Sequence, residues 1–179
     1  MKQTPRARLK LAGARGVEWV NLSVGHAAGK RPAREMRMSS HIPARQVWGA
    51  IQTMYGKAPY FEHFAPELKP LIFHLETEPL LMEFCVRSWT WVQEWTGWEL
   101  PVAAEGFVRP EEVNPTGWDL RDKAKLAGAG WEWTPYPQVF SDRTAFVPGC
   151  SVLDALLVWG PEVGTQLPAW VRPVNTRTS

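Results

Sequence analysis

The chain is poor in cysteine and has no long apolar run, and both absences narrow the class of protein. Its 179 residues include two cysteines, Cys85 and Cys150, which are too few for a disulfide framework and lack the spacing of metal ligands. No apolar stretch reaches the roughly 18 residues that a membrane-spanning helix needs. The charged first residues are not followed by the apolar segment of a secretory signal. We therefore expect reduced cysteines and a cytoplasmic location.

Motifs for metal ions and for nucleotide hydrolysis are also missing. The four histidines share no spacing typical of a zinc site, which needs three or four converging ligands. The glycine-rich stretches lack the P-loop pattern and its Lys-Ser/Thr ending. The sequence therefore predicts no metal ion and no cofactor.

The composition is that of a globular domain with an unusual number of tryptophans. Apolar residues make up 45% and charged residues 21% of the chain, close to globular averages. The length suits one domain, which we place at residues 1–165, with a C-terminal tail at 166–179. Eleven tryptophans can fill a small core, and some can stack on bases or sugars.

Positive charge is concentrated near the N-terminus. The first 45 residues hold ten Lys or Arg against two acidic residues, a net charge of +8, whereas the remainder carries −6. A basic segment can be the footprint of a phosphate-bearing partner. A solvated face is the alternative interpretation.

Hydrophobic periodicity predicts a hairpin followed by helices. Residues 6–11 alternate polar and apolar, a turn follows at 13–16, and residues 17–24 have strand composition, which together predict a β-hairpin. Turn and capping signals then delimit further elements. These are a helix from Pro43 to Tyr55 that ends at a left-handed Gly56, a short element after Pro59, a longer helix from Pro79 to Gly97, a helix over 119–126, a strand at 131–134 and a helix capped by Ser151. We expect an α/β or α+β fold, in which an N-terminal hairpin is followed by helices packed on a small mixed sheet.

The corner around Lys57 is the first candidate site. Lys57 lies between Gly56 and Pro59 and is flanked by Tyr55 and Tyr60. A lysine held on an ordered corner can bind phosphate, and the two phenols can orient a substrate or relay a proton. A surface lysine flanked by packed aromatic rings is the alternative.

Three residues near the C-terminus also have two interpretations each. The amide of Gln138 can bind a substrate amide or base edge, or it can hold a turn. Asp154, in the first turn of an apolar helix, can interact with the helix dipole or be a buried acid facing a pocket. Cys150 precedes the same helix, whose dipole would lower the pKa of its thiol; a buried thiol followed by an N-cap Ser151 is the alternative.

Three segments of the chain resemble the WbqC-like protein family. Residues 17–24 are similar to the family's Gly-x-x-Trp-Leu-Thr-Val-Pro-Val segment, and residues 55–61 match its Tyr-x-x-Ala-Pro-Tyr-Phe motif. Tyr136-Pro-Gln138, Phe146 and Ser151-Val-Leu-Asp154 are similar to its Tyr-x-Gln…Phe…Ser-Ile-Leu-Asp ending. Two departures are visible: the chain begins at about the family's Arg-x-Arg, here Arg6 and Arg8, without the acidic strand that precedes it, and the region 100–131 is compressed.

The resemblance implies a transferase. The family occurs in bacterial surface-polysaccharide biosynthesis and has been proposed to include glycine transferases acting on sugars. Related amino-acid transfer modifies phage DNA, where glycine is joined to an activated methyl group on uracil. The leading hypothesis is therefore transfer of free glycine to a 5-phosphomethyl-type uracil in DNA, which the basic hairpin and the tryptophans favour. A nucleotide-linked amino sugar as acceptor and a non-enzymatic binding module are the alternatives.

On this hypothesis each candidate residue has a role. The catalytic residues are Lys57, Tyr60 and Asp154, with Asp154 accepting a proton from the amine. The substrate-binding residues are Arg6, Arg8, Trp48, Tyr55 and Gln138. The two arginines and Lys57 would hold the departing phosphate, and Tyr60, Gln138 and Trp48 would position the ring.

Overall fold

The computed structural model describes residues 8–22, 35–39, 44–77, 80–99 and 131–173. Arg6 and the helix predicted over 119–126 lie outside these ranges.

The predicted N-terminal hairpin is confirmed. Strand β1 (Arg8–Gly13) pairs antiparallel with β2 (Gly16–Asn21), with Arg8 opposite Asn21 and Gly13 opposite Gly16. Residue Gly16 has a φ of 101°, a value that glycine adopts readily and other residues rarely do. Side chains alternate between the two faces of the hairpin. Leu11 is therefore buried in the core, and its neighbour Lys10 lies on the opposite face of the hairpin.

Three helices follow the hairpin: α1 (Ala44–Tyr55), α2 (Phe61–Phe73) and α3 (Leu81–Thr96). Helix α1 buries Val47, Ile51 and Tyr55, which are spaced four residues apart and so form one face. Helix α2 is longer than the short element predicted after Pro59, although it contains two prolines.

The sequence predicted that α1 ends at Gly56 and α3 at Gly97, and the backbone conformations of these two glycines differ. Helix α3 ends at Gly97, which has the expected left-handed φ of 68°. The left-handed conformation predicted for Gly56 is wrong, because the only described glycines with positive φ are four others: Gly16, Gly97, Gly149 and Gly160. The Gly56 N–H instead continues the helical pattern by donating to the Gln52 carbonyl at 2.8 Å.

The C-terminal part adds two helices and a second pair of strands. Helix α4 (Val152–Trp159) is followed by a 3₁₀ turn (Gly160–Glu162) and by α5 (Val163–Trp170). Strand β3 (Trp131–Trp133) pairs antiparallel with β4 (Val171–Pro173). The sequence predicted a tail from residue 166, whereas the structure continues α5 and adds β4. The partner of β4 lies some forty residues earlier in the chain, so the local pattern does not reveal the pairing.

The described elements share one core and confirm the predicted mixture of helices and strands. One buried apolar cluster contains residues of the hairpin, residues of each helix from α1 to α4, and Val163, the first residue of α5. Helix α5 packs tightly on α3, since a Cβ on Gly164 would lie 1.9 Å from the Thr96 carbonyl oxygen. Across the described ranges, no helix has the length and apolar character required to cross a membrane.

Candidate functional site

Asp154 is the centre of a buried hydrogen-bond cluster. Its side chain is 0% exposed. The Tyr55 hydroxyl donates to Oδ1 at 2.8 Å, while the Tyr136 hydroxyl and the Gln138 amide donate to Oδ2 at 2.7 and 2.8 Å. The Tyr55 oxygen in turn accepts the backbone N–H of Ala12 at 3.0 Å. We call these four side chains, Asp154, Tyr55, Tyr136 and Gln138, the Asp154 cluster.

Gln138 also holds the loop that precedes α4. Its amide nitrogen donates to the Val147 carbonyl at 3.1 Å, and its amide oxygen accepts the Val147 N–H at 2.9 Å. The backbone N–H of Gln138 donates to the Ser141 hydroxyl at 2.7 Å. Because the Gln138 amide bonds both the N–H and the carbonyl of Val147, it takes the place of a backbone partner. The interpretation in which Gln138 holds a turn therefore fits this geometry.

The two tyrosines of the cluster remain protonated hydrogen-bond donors. Burial raises the pKa of the Tyr55 and Tyr136 hydroxyls well above the usual value, and the neighbouring Asp154 carboxylate raises both further. The cluster joins β1, the end of α1, the loop after β3 and the first turn of α4. It is an internal cross-link between segments that are distant in the sequence.

Four residues predicted to act on substrate are therefore buried: Asp154, Tyr55, Gln138 and Trp48. The carboxylate of Asp154 lines neither the open groove between α2 and α3 nor the cavity that Arg8 borders, and both of its oxygens already accept hydrogen bonds. Tyr55 is fully buried, and Trp48 is buried against Phe61 with ring centroids 5.7 Å apart. A substrate-binding role for Trp48 or Tyr55 would require these core side chains to move.

The Lys57 corner is divided between surface and core. The Lys57 side chain is exposed, and Tyr60 is half-buried. The Tyr60 N–H donates to the Leu157 carbonyl at 3.0 Å, which attaches the corner to the end of α4. Its ring lies against Gly160, where a Cβ would approach the ring carbons to 2.5 Å. The corner is therefore well held, and Lys57 extends from it into solvent.

Arg8 is the predicted site residue that borders a cavity. The cavity has a volume of about 280 Å³, near the lower end of the range of small-molecule sites, roughly 300–1,000 Å³. Apolar side chains from the hairpin and from α2, α3 and α4 form most of its wall. Arg8, Ser88, Trp89 and Ser151 also line it, and we call it the Arg8 cavity. Neither Lys57 nor any member of the Asp154 cluster is part of the wall.

The guanidinium of Arg8 also lies on an exposed ring. Its Cζ is 3.9 Å from the centroid of the Trp19 ring, a cation–π distance. The Nε atom of Arg8 is buried and has no hydrogen-bond partner. A buried donor without a partner is rare and is costly unless a ligand or water meets it. Arg8 is therefore the best-placed cation for an anionic ligand at the cavity.

The start of α4 brings the cavity and the hairpin together. Ser151 is the N-cap, as predicted, and its hydroxyl accepts the Leu153 N–H. The Ser151 N–H donates to the Lys10 carbonyl at 2.7 Å, and the Lys10 ammonium donates to the Pro148 carbonyl. The first turn of α4 therefore has Asp154 on the interior side and Ser151 at the cavity wall.

The surroundings of Cys150 exclude one of its two interpretations, a thiol whose pKa is lowered by the helix dipole. Burial, followed by the charge of Asp154, raises the pKa of its thiol to about 12. The helix dipole therefore does not produce a reactive thiolate, and the buried-thiol interpretation fits.

We expect Cys150 to react very slowly with iodoacetamide. At pH 8 a thiol with a pKa of about 12 is ~10⁻⁴ thiolate, whereas an ordinary cysteine with a pKa of about 8.5 is about one quarter thiolate. Alkylation of Cys150, followed by peptide mass spectrometry, should therefore be about a thousandfold slower than in urea. Its rate should rise about tenfold per pH unit from pH 7 to 10. Equal rates in folded and unfolded protein would contradict this assignment.

The sequence patterns missed two features of the site. Trp19 was grouped with the other tryptophans, and its exposure could have been inferred only from its position opposite Lys10 in the hairpin register. Tyr136 appeared only within a motif, although it donates to Asp154 as Tyr55 does. The remaining cavity wall comes from ordinary apolar positions of four elements, which carry no individual signal.

Comparison with known proteins assigns the family. The sequence model of the WbqC-like protein family matches residues 1–113, which is more than half of the chain. The protein belongs to the WbqC-like family. The search of curated proteins found no match, and neither did the search of solved structures.

Tyr55 belongs both to the segment that matches the family and to the Asp154 cluster. The match includes the hairpin and the Tyr55–Phe61 corner, and it ends before the Tyr136 and Asp154 segment. The structure joins the two segments directly through the Tyr55–Asp154 hydrogen bond.

Proposed function

We propose that this protein is a transferase that joins glycine to an activated methyl carbon on a uracil ring of DNA, with the ring bound in the Arg8 cavity. The observation that carries the proposal is the cavity wall itself. It combines a buried, unpartnered guanidinium nitrogen with a largely apolar and aromatic lining. An acceptor with a flat ring and a phosphate group would satisfy both parts of that wall.

The apolar part of the cavity suits a ring. Trp89 from α3 and the aliphatic residues of α2 and α4 supply surfaces on which a base can stack. Ser88 and Ser151 line the same wall. The Ser88 hydroxyl donates to the Phe84 carbonyl at 2.8 Å, and its oxygen can accept from the polar edge of a pyrimidine. The Ser151 hydroxyl accepts the Leu153 N–H and can donate to that edge. A volume near 280 Å³ admits one ring without its sugar and phosphate chain, so the base would enter from a single strand or after extrusion from a duplex.

The reaction requires one bond exchange. The glycine nitrogen attacks the methylene carbon at position 5 of the ring and forms a C–N bond, while the C–O bond to the phosphate breaks and the phosphate leaves with the bonding electrons. The amine loses one proton, and the departing phosphate can accept it. Arg8 would stabilise the charge that develops on the leaving phosphate.

This scheme changes the roles of four predicted residues. Asp154 has both oxygens occupied by donors and no exposed surface, so we propose that it positions the start of α4 and takes no proton from the amine. Tyr55 and Gln138 would act with it. Lys57 is exposed and would contribute to the charge that attracts a polyanion.

A cavity-filling variant tests the proposal. Ser88→Phe places a ring inside the cavity, and Thr90→Phe on the same helix places it in the open groove between α2 and α3. With glycine and an oligonucleotide that contains 5-phosphomethyl-deoxyuridine, we expect Ser88→Phe to lower the product at least tenfold. We expect Thr90→Phe to match the wild type. Mass spectrometry of the digested nucleosides measures the product, and thermal melting confirms that both variants fold.

The alternatives give different results in the same assay. No product from the oligonucleotide but product from a nucleotide-linked amino sugar would favour the polysaccharide hypothesis. No turnover with either acceptor would favour a binding module. An undiminished yield from Ser88→Phe would show that the ring does not occupy this cavity.

A further inference from the structure

One face of the hairpin combines cations with an exposed ring. Opposite residues in an antiparallel pair share a face. The register therefore places three pairs on one face of the hairpin: Arg8 with Asn21, Lys10 with Trp19, and Ala12 with Val17. We call this set of six the outer face. It carries two cations and no acid, because Glu18 is opposite Leu11 on the other face.

The outer face keeps a large apolar surface in solvent. Trp19 is 44% exposed and Val17 is 47% exposed, and these are two of the three large apolar side chains in the described structure with such exposure. Arg8 covers part of the indole, with its Cζ 3.9 Å from the ring centroid. A guanidinium on an indole is held flat and ready to bind an anion, because stacking restricts its orientations.

The chemistry of this face matches a nucleic acid strand. An exposed indole stacks on any base, and a cation next to it contacts the phosphate of the same or the next nucleotide. An exposed tryptophan alone would also suit an apolar protein partner. The guanidinium on its ring and the absence of acids on the face favour a ligand that repeats a flat ring and a negative charge.

We propose that the outer face binds single-stranded nucleic acid, with one base stacked on Trp19 and a neighbouring phosphate on Arg8. Arg8 belongs both to this face and to the cavity wall, so the bound strand would pass the mouth of the cavity. The inference rests on the proposed function in one respect: it makes the acceptor a base within a polymer and excludes a free nucleotide. The binding surface itself requires no turnover.

Binding of a labelled 12-residue oligodeoxythymidine, measured by fluorescence anisotropy over a range of salt concentrations, tests the surface. Trp19→Thr keeps a strand-forming residue and should weaken binding about tenfold, since it removes one base stack. It should leave the salt dependence unchanged, because no charge is lost. Trp19→Phe should retain most of the affinity. Arg8→Ala should weaken binding and also reduce the slope of log K against log salt by about 0.7, the value for one phosphate on a single strand.

Arg143→Ala is the matched control. Arg143 has a 70% exposed side chain that is paired with Asp142, so its loss should change the affinity less than twofold. An oligouridine of equal length shows whether the surface distinguishes DNA from RNA, and binding of either supports it. Affinity of Trp19→Thr within twofold of the wild type, or an unchanged slope for Arg8→Ala, would overturn the proposal.

The outcome is separable from that of the proposed function. Tight, Trp19-dependent binding without any modified nucleoside would leave the surface standing and reject the transferase chemistry. Turnover of the oligonucleotide by wild type and Trp19→Thr alike, without Trp19-dependent binding, would reject the strand-binding surface and leave the transferase chemistry standing.

Discussion

Replacement of Asp154 by alanine is expected to lower the free energy of unfolding by about 3–5 kcal/mol. The change removes the common acceptor of two hydroxyls and one amide, all in the interior. Each buried donor left without a partner costs ~1–3 kcal/mol, and a cavity adds to this cost. Because domains of this size are stable by only about 5–15 kcal/mol, the variant should unfold at a much lower urea concentration, measured by circular dichroism.

Three variants test the cause of that loss. Asp142→Ala removes an exposed carboxylate and should change stability by less than about 0.5 kcal/mol. Tyr55→Phe should cost more than Tyr136→Phe, because the Tyr55 hydroxyl also accepts the Ala12 N–H whereas Oδ2 keeps the Gln138 amide when Tyr136 is changed. If Asp154→Ala unfolds within 1 kcal/mol of the wild type, the cluster does not hold the fold together.

Replacement of Gly160 by alanine is expected to lower the free energy of unfolding by about 3–5 kcal/mol. The Gly160 backbone has φ 68° and ψ −155°, a conformation that is essentially restricted to glycine and costs other residues ~1–3 kcal/mol. The new Cβ would also lie 2.5–2.8 Å from three ring atoms of Tyr60. Relief of this contact requires the Tyr60 ring to turn away while its backbone stays bonded to Leu157, and overpacking adds ~1–3 kcal/mol.

Gly49 provides the matched control on another helix. A Cβ on Gly49, within α1, would meet no atom within 4 Å, so Gly49→Ala should stabilise the protein by up to ~1 kcal/mol. Adding Tyr60→Ala to Gly160→Ala should remove the steric part of the loss and leave the backbone part, which a double-mutant cycle separates. A Gly160→Ala protein as stable as the wild type would show that this turn can change its conformation freely.

The contacts that these variants would test involve most of the family motif. Tyr55 and Tyr60 occupy the two ends of the corner, and each connects it to α4, one through Asp154 and the other through Leu157 and Gly160. Between these two tyrosines, Ala58 is buried and Lys57 is exposed. The corner is therefore mainly a joint between α1, α2 and α4, and the binding chemistry that we propose lies at Arg8.

Local patterns in the sequence were sufficient for several elements. The strand alternation predicted over 6–11, the Ser151 cap and the Gly97 helix end all depend on contacts within a few residues. The structure contains the cap, the helix end and the described part of the strand, from Arg8 onward. The Gly56 conformation was wrong because a glycine after a helix permits the left-handed conformation without requiring it. The tail was predicted because α5 is a short helix with weak periodicity, and β4 forms only against β3.

The sequence by itself determined the family, the mixed class of fold and the residues that belong together in motifs, because these depend on residue identity and short spacing. Only the tertiary structure decided which partners these residues contact. Tyr55 and Asp154 are 99 positions apart and meet in the interior, whereas Arg8 meets Trp19 on the surface and borders the cavity. Periodicity specifies which face of an element is apolar. Whether a polar side chain on that element reaches a buried partner or a cavity is set by the packing of segments that are distant in the chain.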